Sequence, residues 1–126
     1  IIGCDTIIVL HNEIFGKPLT PEKAFAMLKK LSGDWHSVFS GLTVIDTEIN
    51  QELVGYERTE IKFKELSEKE IHDYVKTGEP LDKAGAYGIQ ECGGVFVDQI
   101  KGSFSAVVGL PKGLLLKFLS DFGIRL

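Results

Sequence analysis

The chain opens on an apolar run broken only around Cys4-Asp5-Thr6. Ile7, Ile8, Val9 and Leu10 are mostly β-branched, so a buried strand is predicted over residues 1–10, with Asp5 inside it. His11-Asn12-Glu13 reads as a turn, Ile14-Phe15 as a brief apolar return, and Gly16-Lys17-Pro18 as a break. Thr20-Pro21-Glu22 then marks a helix start: a capping hydroxyl, a proline suited to the first helical position, and an acid that complements the dipole. Ala24, Met27, Leu28 and Leu31 share one face of that helix, and Gly33 is placed to end it.

Two long strands are predicted over 35–46 and 53–64, joined as a hairpin across a polar stretch. Ser67 and Glu70 have the spacing of a capping box. The helix they open buries Ile71, Tyr74 and Val75 and stops near Gly78. Residues 79–94 hold four glycines and little periodicity, which predicts a loop-rich segment of the kind that carries sites. Residues 95–100 and 104–108 read as a hairpin turning at Lys101-Gly102-Ser103. Leu110-Pro111 opens a last helix with Leu114, Leu115, Phe118, Leu119 and Phe122 on its face. The order of elements predicts an α/β or α+β fold, a mixed twisted sheet with flanking helices, in one domain over residues 1–126.

Composition narrows the partners. The 126 residues are 44% hydrophobic and 25% charged, a globular balance. A net charge of −4 argues against a nucleic acid polymer as partner, because backbone binding calls for clustered Lys and Arg. No apolar run approaches the roughly 18 residues needed to span a bilayer. The first strand lacks a basic leader, and its start at Ile1 rather than Met leads us to expect that preceding sequence is absent. Cys4 and Cys92 form no C-x-x-C pair, which predicts two reduced, mostly buried thiols in a cytoplasmic protein.

Few residues offer chemistry. Asp5 is a carboxylate in an apolar strand, so it needs a partner, a metal or a solvent-lined cleft; backbone N–H groups at a strand end would also serve. Thr6 beside it is either a ligand contact or a strand former. Lys17, held between Gly16 and Pro18, suits a phosphate, or is an exposed turn lysine. Asp82 and Lys83 are adjacent charges in the glycine-rich segment. Gln90 offers an amide donor and acceptor, which match the edge of uracil or thymine; loop solvation is the alternative. His11, His36 and His72 have no metal-site spacing and read as surface or hairpin residues. No G-x-S-x-G, Walker A or H-E-x-x-H motif is present.

Five blocks together resemble the Maf family of nucleoside triphosphate pyrophosphatases: residues 2–6 (Ile-Gly-Cys-Asp-Thr), 16–18 (Gly-Lys-Pro), 27–33 (Met-Leu-Lys-Lys-Leu-Ser-Gly), 78–90 (Gly-Glu-Pro-Leu-Asp-Lys-Ala-Gly-Ala-Tyr-Gly-Ile-Gln) and 107–111 (Val-Val-Gly-Leu-Pro). The resemblance runs through essentially the whole chain, and the 78–90 block is the most specific part. It implies a fold related to the inosine triphosphate pyrophosphatases, and hydrolysis of a nucleoside triphosphate to the monophosphate and pyrophosphate. It further implies a divalent cation, magnesium or manganese. On this resemblance Asp5 matches the proton acceptor and is also the metal-ligand candidate. Lys17 matches an active-site lysine, and Thr6 and Gln90 match positions linked to substrate choice. Lys83 joins them as a substrate-binding candidate. The Thr and Gln pair looks like the branch acting on dTTP and UTP.

One departure stands out. The family's opening Ser-x-Ser-Pro-Arg-Arg block has no counterpart here, and Cys4 stands where Ala is usual. The first strand and helix of the family fold are therefore expected to be missing, and this chain alone is expected to hydrolyse dTTP weakly or not at all. The alternatives are a non-catalytic inhibitor of septum formation and a nucleotide-binding remnant without turnover. Open strand edges in such a chain predict self-association, with a homodimer as the simplest form.

Overall fold

The computed structural model describes residues 1–124. Strands β1 (Ile2–Leu10), β2 (Glu13–Phe15), β3 (Trp35–Asp46), β4 (Gln51–Phe63) and β5 (Val97–Lys101) form one sheet in the order β2-β1-β3-β4-β5. The helices are α1 (Pro21–Leu31), α2 (Glu68–Lys76), α3 (Phe104–Val108) and α4 (Lys112–Asp121). Three single-turn 3-10 helices, Glu79–Asp82, Ala84–Ala86 and Cys92–Phe96, occupy the glycine-rich segment.

The fold is a mixture of α and β as expected, with helices flanking the sheet. Within the sheet every pairing is antiparallel, so the parallel component of the expected mixed sheet does not occur among the described residues. The reason lies in where the connections return. β1–β2 and β3–β4 close through short turns, and the long excursion over residues 64–96 comes back to the end of the sheet it left, with Val97 opposite Phe63. A strand that re-enters at the same end has to run the other way.

Local chemistry sets the helix ends. The Thr20 hydroxyl accepts from the Lys23 N–H, Pro21 takes the first helical position, and Gly33 adopts φ +68° just beyond the cap. Ser67 and Glu70 complete a reciprocal capping box on α2. The expected hairpin over 95–108 forms only its first strand. Its second half is α3, because the Ser103 hydroxyl accepts from the Ala106 N–H and caps a helical turn. Gly102, at φ +129°, lies so close to Thr59 that a side chain there would touch it, and the chain turns inward at that point.

Strand alternation divides the residues between two faces. Thr6, Ile8 and Leu10 of β1 share a face with His36, Val38, Ser40, Leu42 and Val44 of β3 and with Thr59, Ile61 and Phe63 of β4. The main core lies here, where Ile8, Leu10, Val38, Ile61 and Phe63 meet Leu28 and Leu31 of α1 and Ile71, Tyr74 and Val75 of α2. A smaller core joins Leu42 and Val44 to Phe118 of α4. The opposite face carries no helix among the described residues. Ile7, Phe39, Val54 and Tyr56 lie on it, with Val54 64% and Tyr56 68% exposed. The first half of β1 is exposed as well, which corrects the expectation of a strand buried throughout. Both cysteines are free and exposed rather than buried, Cys4 because it sits in that half-strand and Cys92 because it sits on the surface turn.

Candidate functional site

Thr6 and Ile8 project from β1, beside Val38 of β3, toward the turn-rich segment 79–96. The segment closes over them. The Gly85 N–H donates to the Gly16 carbonyl at 3.1 Å, and the Leu19 N–H donates to the Leu81 carbonyl at 3.0 Å. Two motif blocks far apart in sequence are thus stitched along their backbones. Gly85 sits at φ +71°, and a Cβ there would stand 2.5 Å from Ile8 Cδ1. Glycine is required at this point both by the left-handed turn and by the close approach to β1.

Between β1 and this segment lies a cleft of about 210 Å³. Thr6, Lys83 and Gln90 all line it, together with Tyr87, Glu91 and Val107. A second hollow of about 440 Å³ adjoins it, bordered by Ser105 and Lys112. Gln90, Val108 and Gly109 belong to both, so Gln90 stands where the two meet.

A small polar network fixes the far wall. Tyr74 of α2 donates its hydroxyl proton to Glu79 Oε1 at 2.7 Å, and its oxygen accepts from the Gly88 N–H. Glu79 Oε1 also accepts from the Gly93 N–H. Burial, together with the Glu79 carboxylate, pushes the Tyr74 phenol well above its ordinary range, so it stays a donor. Lys83 Nζ lies 2.8 Å from Glu91 Oε1, and that bond raises the lysine pKa. Thr6 Oγ1 is 3.3 Å from Ser40 Oγ, which in turn donates to the Ala106 carbonyl and ties β1 to α3 through β3.

The two catalytic candidates lie elsewhere. Asp5 is exposed on the helix-free face, across the strand from Thr6, in a row with Gly41 and Tyr56. Its Oδ1 accepts from the Thr6 N–H at 2.9 Å. The desolvation that its apolar neighbours suggested is absent, because this part of β1 is uncovered. Lys17 is exposed on the turn after β2. One feature brings these residues into relation. β2 pairs with Ile8, Val9 and Leu10, and among the described residues no strand pairs with that edge of β1 from Ile2 to Ile7. Asp5 and Thr6 flank that edge on opposite faces, and Gly16 and Lys17 leave β2 next to it, since Phe15 lies opposite Ile8.

Among the described residues no three His, Cys, Asp or Glu side chains gather as a metal site. Asp5 is the one sequence-nominated metal ligand, and among the described residues it has no cluster of such side chains around it. No helix among them is long and apolar enough to cross a membrane.

The match to known proteins decides the family. Residues 1–122 fit the family model described as Maf-like protein. The chain belongs to the Maf family. Its Maf domain is 48% identical over all 126 residues to a dTTP/UTP pyrophosphatase of Clostridium novyi (strain NT), of which it covers 66%. Proteins with the same name from Clostridium botulinum (strain Kyoto / Type A2) and Clostridium tetani (strain Massachusetts / E88) are 46% and 44% identical over the whole chain. This Maf chain spans 65% of the first and 66% of the second.

The sequence places Tyr74 on the buried face of α2 and Glu79 and Tyr87 in the 78–90 block, but gives none of them a role at the cleft. Tyr87 had a signal, as the one aromatic among the glycines of the 78–90 block. Tyr74 and Glu79 had none, since their contact depends on how Gly78 turns the chain at φ +78°. His36, read as a surface or hairpin residue, lies on β3 of the β3–β4 hairpin and is buried there. Its place in the alternating series His36, Val38, Ser40, Leu42, Val44 was the available clue.

Proposed function

We propose that this chain is part of a nucleoside triphosphate pyrophosphatase that hydrolyses dTTP and UTP to the monophosphate and pyrophosphate, removing them from the nucleotide pool. The observation that carries the reading is the convergence of Thr6, Gln90 and Lys83 on one cleft. The names of the relatives, alike along the whole of this chain, support the same activity.

The cleft chemistry suits a pyrimidine with an N–H between two carbonyls. Gln90 offers an amide donor and acceptor, and the Thr6 hydroxyl offers either. Lys83 supplies positive charge, held in place by Glu91. Thr6 and Gln90 hold the base in this proposal, and Lys83 turns toward the phosphates. Asp5 and Lys17 act across the free edge of β1, Asp5 taking the proton of the attacking water and Lys17 offsetting phosphate charge. Water oxygen bonds to the α-phosphorus, the bond to the bridging oxygen breaks, and pyrophosphate leaves with the electron pair. Support for Asp5 and Lys17 comes from the family resemblance and from their places beside that edge. A magnesium or manganese ion would accompany the triphosphate, with Asp5 as the candidate ligand from this chain, and would offset phosphate charge there. Self-association belongs to the proposal too, with the helix-free face as its surface.

A panel of dTTP, UTP, CTP, ATP and GTP, with magnesium or manganese, tests the reading by calorimetric binding and by pyrophosphate release. Preferential binding of dTTP and UTP, weakened ~10-fold in Gln90→Ala, is the expected outcome. Equal affinity for all five nucleotides, or none for any, would overturn it.

A further inference from the structure

His36 occupies an unusual position. It is 1% exposed on β3, in an aromatic nest made with Phe63 and Tyr87. The ring centroids of Phe63 and Tyr87 stand 5.0 Å and 5.5 Å from the imidazole, each nearly edge-on. Its Nε2 is 2.7 Å from the Tyr87 hydroxyl, while its Nδ1 is buried without a hydrogen-bond partner. A buried polar atom left unpaired is costly, and each such case calls for an explanation. Phenylalanine would fill the same space without that cost. What phenylalanine lacks is the bond to Tyr87.

Tyr87 is where that bond becomes useful. It lines the cleft, and it follows two successive left-handed residues, Gly85 at φ +71° and Ala86 at φ +68°. A non-glycine residue in that conformation is strained and persists only where its surroundings hold it. The backbone on either side is fastened by the bond from Gly85 N to Gly16 and by that from Gly88 N to Tyr74. Between these two points Ala86 and Tyr87 point into the core, and among the described residues His36 supplies the one side-chain hydrogen bond of Tyr87.

We propose that His36 is a positioning residue for the cleft, whose buried hydrogen bond to Tyr87 holds the wall of residues 85–90 where Gln90 and Thr6 face one ligand. The consequence for affinity rests on the nucleotide reading of the cleft; the anchoring of the wall does not. Burial keeps the imidazole neutral at ordinary pH, with its pKa lowered to about 4, so Nε2 is free to accept the Tyr87 proton.

The test compares His36→Phe, Tyr87→Phe and the double variant. Amide hydrogen exchange is followed in residues 85–90 and in α1, and dTTP binding is measured by calorimetry. Either single variant is expected to speed exchange in 85–90 severalfold while leaving α1 unchanged, and to weaken dTTP binding ~3- to 10-fold. The double variant should lose no more than either single one, because both remove the same bond. A wild-type chain that binds no nucleotide, yet shows faster wall exchange in both variants, would refute the nucleotide reading and keep the anchor. Unchanged wall exchange, additive losses in the double variant, or faster exchange in α1 to the same degree would overturn the anchor itself.

Discussion

Gly85 has a hydrogen atom where any other residue would drive a methyl group into Ile8. Gly85→Ala should cost about 2–4 kcal/mol, combining the left-handed backbone penalty with overpacking against β1. Ile8→Val removes the nearer contact, so the Gly85→Ala, Ile8→Val pair should lose less than the sum of its parts. Urea unfolding of the four proteins checks this. His36 makes a second prediction at the same scale. Its pKa falls from 6.5 to about 4, chiefly through burial, with Glu60 and Asp34 opposing. Between those values the unfolded chain holds a proton that the folded chain lacks. Stability should therefore be complete above pH 6.5 and decline as the pH falls toward 4, by up to about 3 kcal/mol. Denaturant midpoints at several pH values in this window, flatter in His36→Phe, are the measurement. Asp5 and Thr6 show what the sequence could and could not say at this scale. Their residue types and adjacency were legible, but adjacency in a strand means opposite faces, and only the layout of helices shows which face is covered.

Among the elements, those with strong local signals came out as read. Thr20 and Pro21 start α1, and Ser67 with Glu70 starts α2. The α2 cap matters to the cleft, because α2 carries Tyr74 to the hydrogen bonds at Glu79 and Gly88. Ser67→Ala should cost ~1 kcal/mol in urea unfolding, with helix loss visible in far-UV circular dichroism. The segment 104–108 was misread for a physical reason. Phe-Ser-Ala-Val-Val has the composition of a strand, and its helical state depends on a cap from Ser103 and on contacts with Ser40 and Thr59 far away in the chain. Such contacts override a local β preference without leaving a local trace. The turns over 79–96 were legible as irregular, but not as a wall folded onto β1.

At the scale of the whole molecule, the helices of the described residues stand on one side of the sheet and leave the other bare. Phe39 is partly shielded there by Arg58, whose guanidinium lies 5.6 Å from the ring centre, but Val54 and Tyr56 are not. Such a face favours association. Val54→Lys with Tyr56→Lys should shift sedimentation toward the monomer and lower binding of a hydrophobic dye, while changing stability by less than about 0.5 kcal/mol per site. An unchanged sedimentation profile in a chain that associates would place the contact elsewhere.

The return of Val97 to Phe63 also sets an order of assembly in time. The β3–β4 hairpin needs only a short turn to begin pairing, whereas β5 has to wait for all of residues 64–96 to come home. Closing that long loop is entropically the slower event. The cleft wall is built from the same excursion, so β3 and β4 can pair before it closes, and the wall is expected among the last parts to assemble.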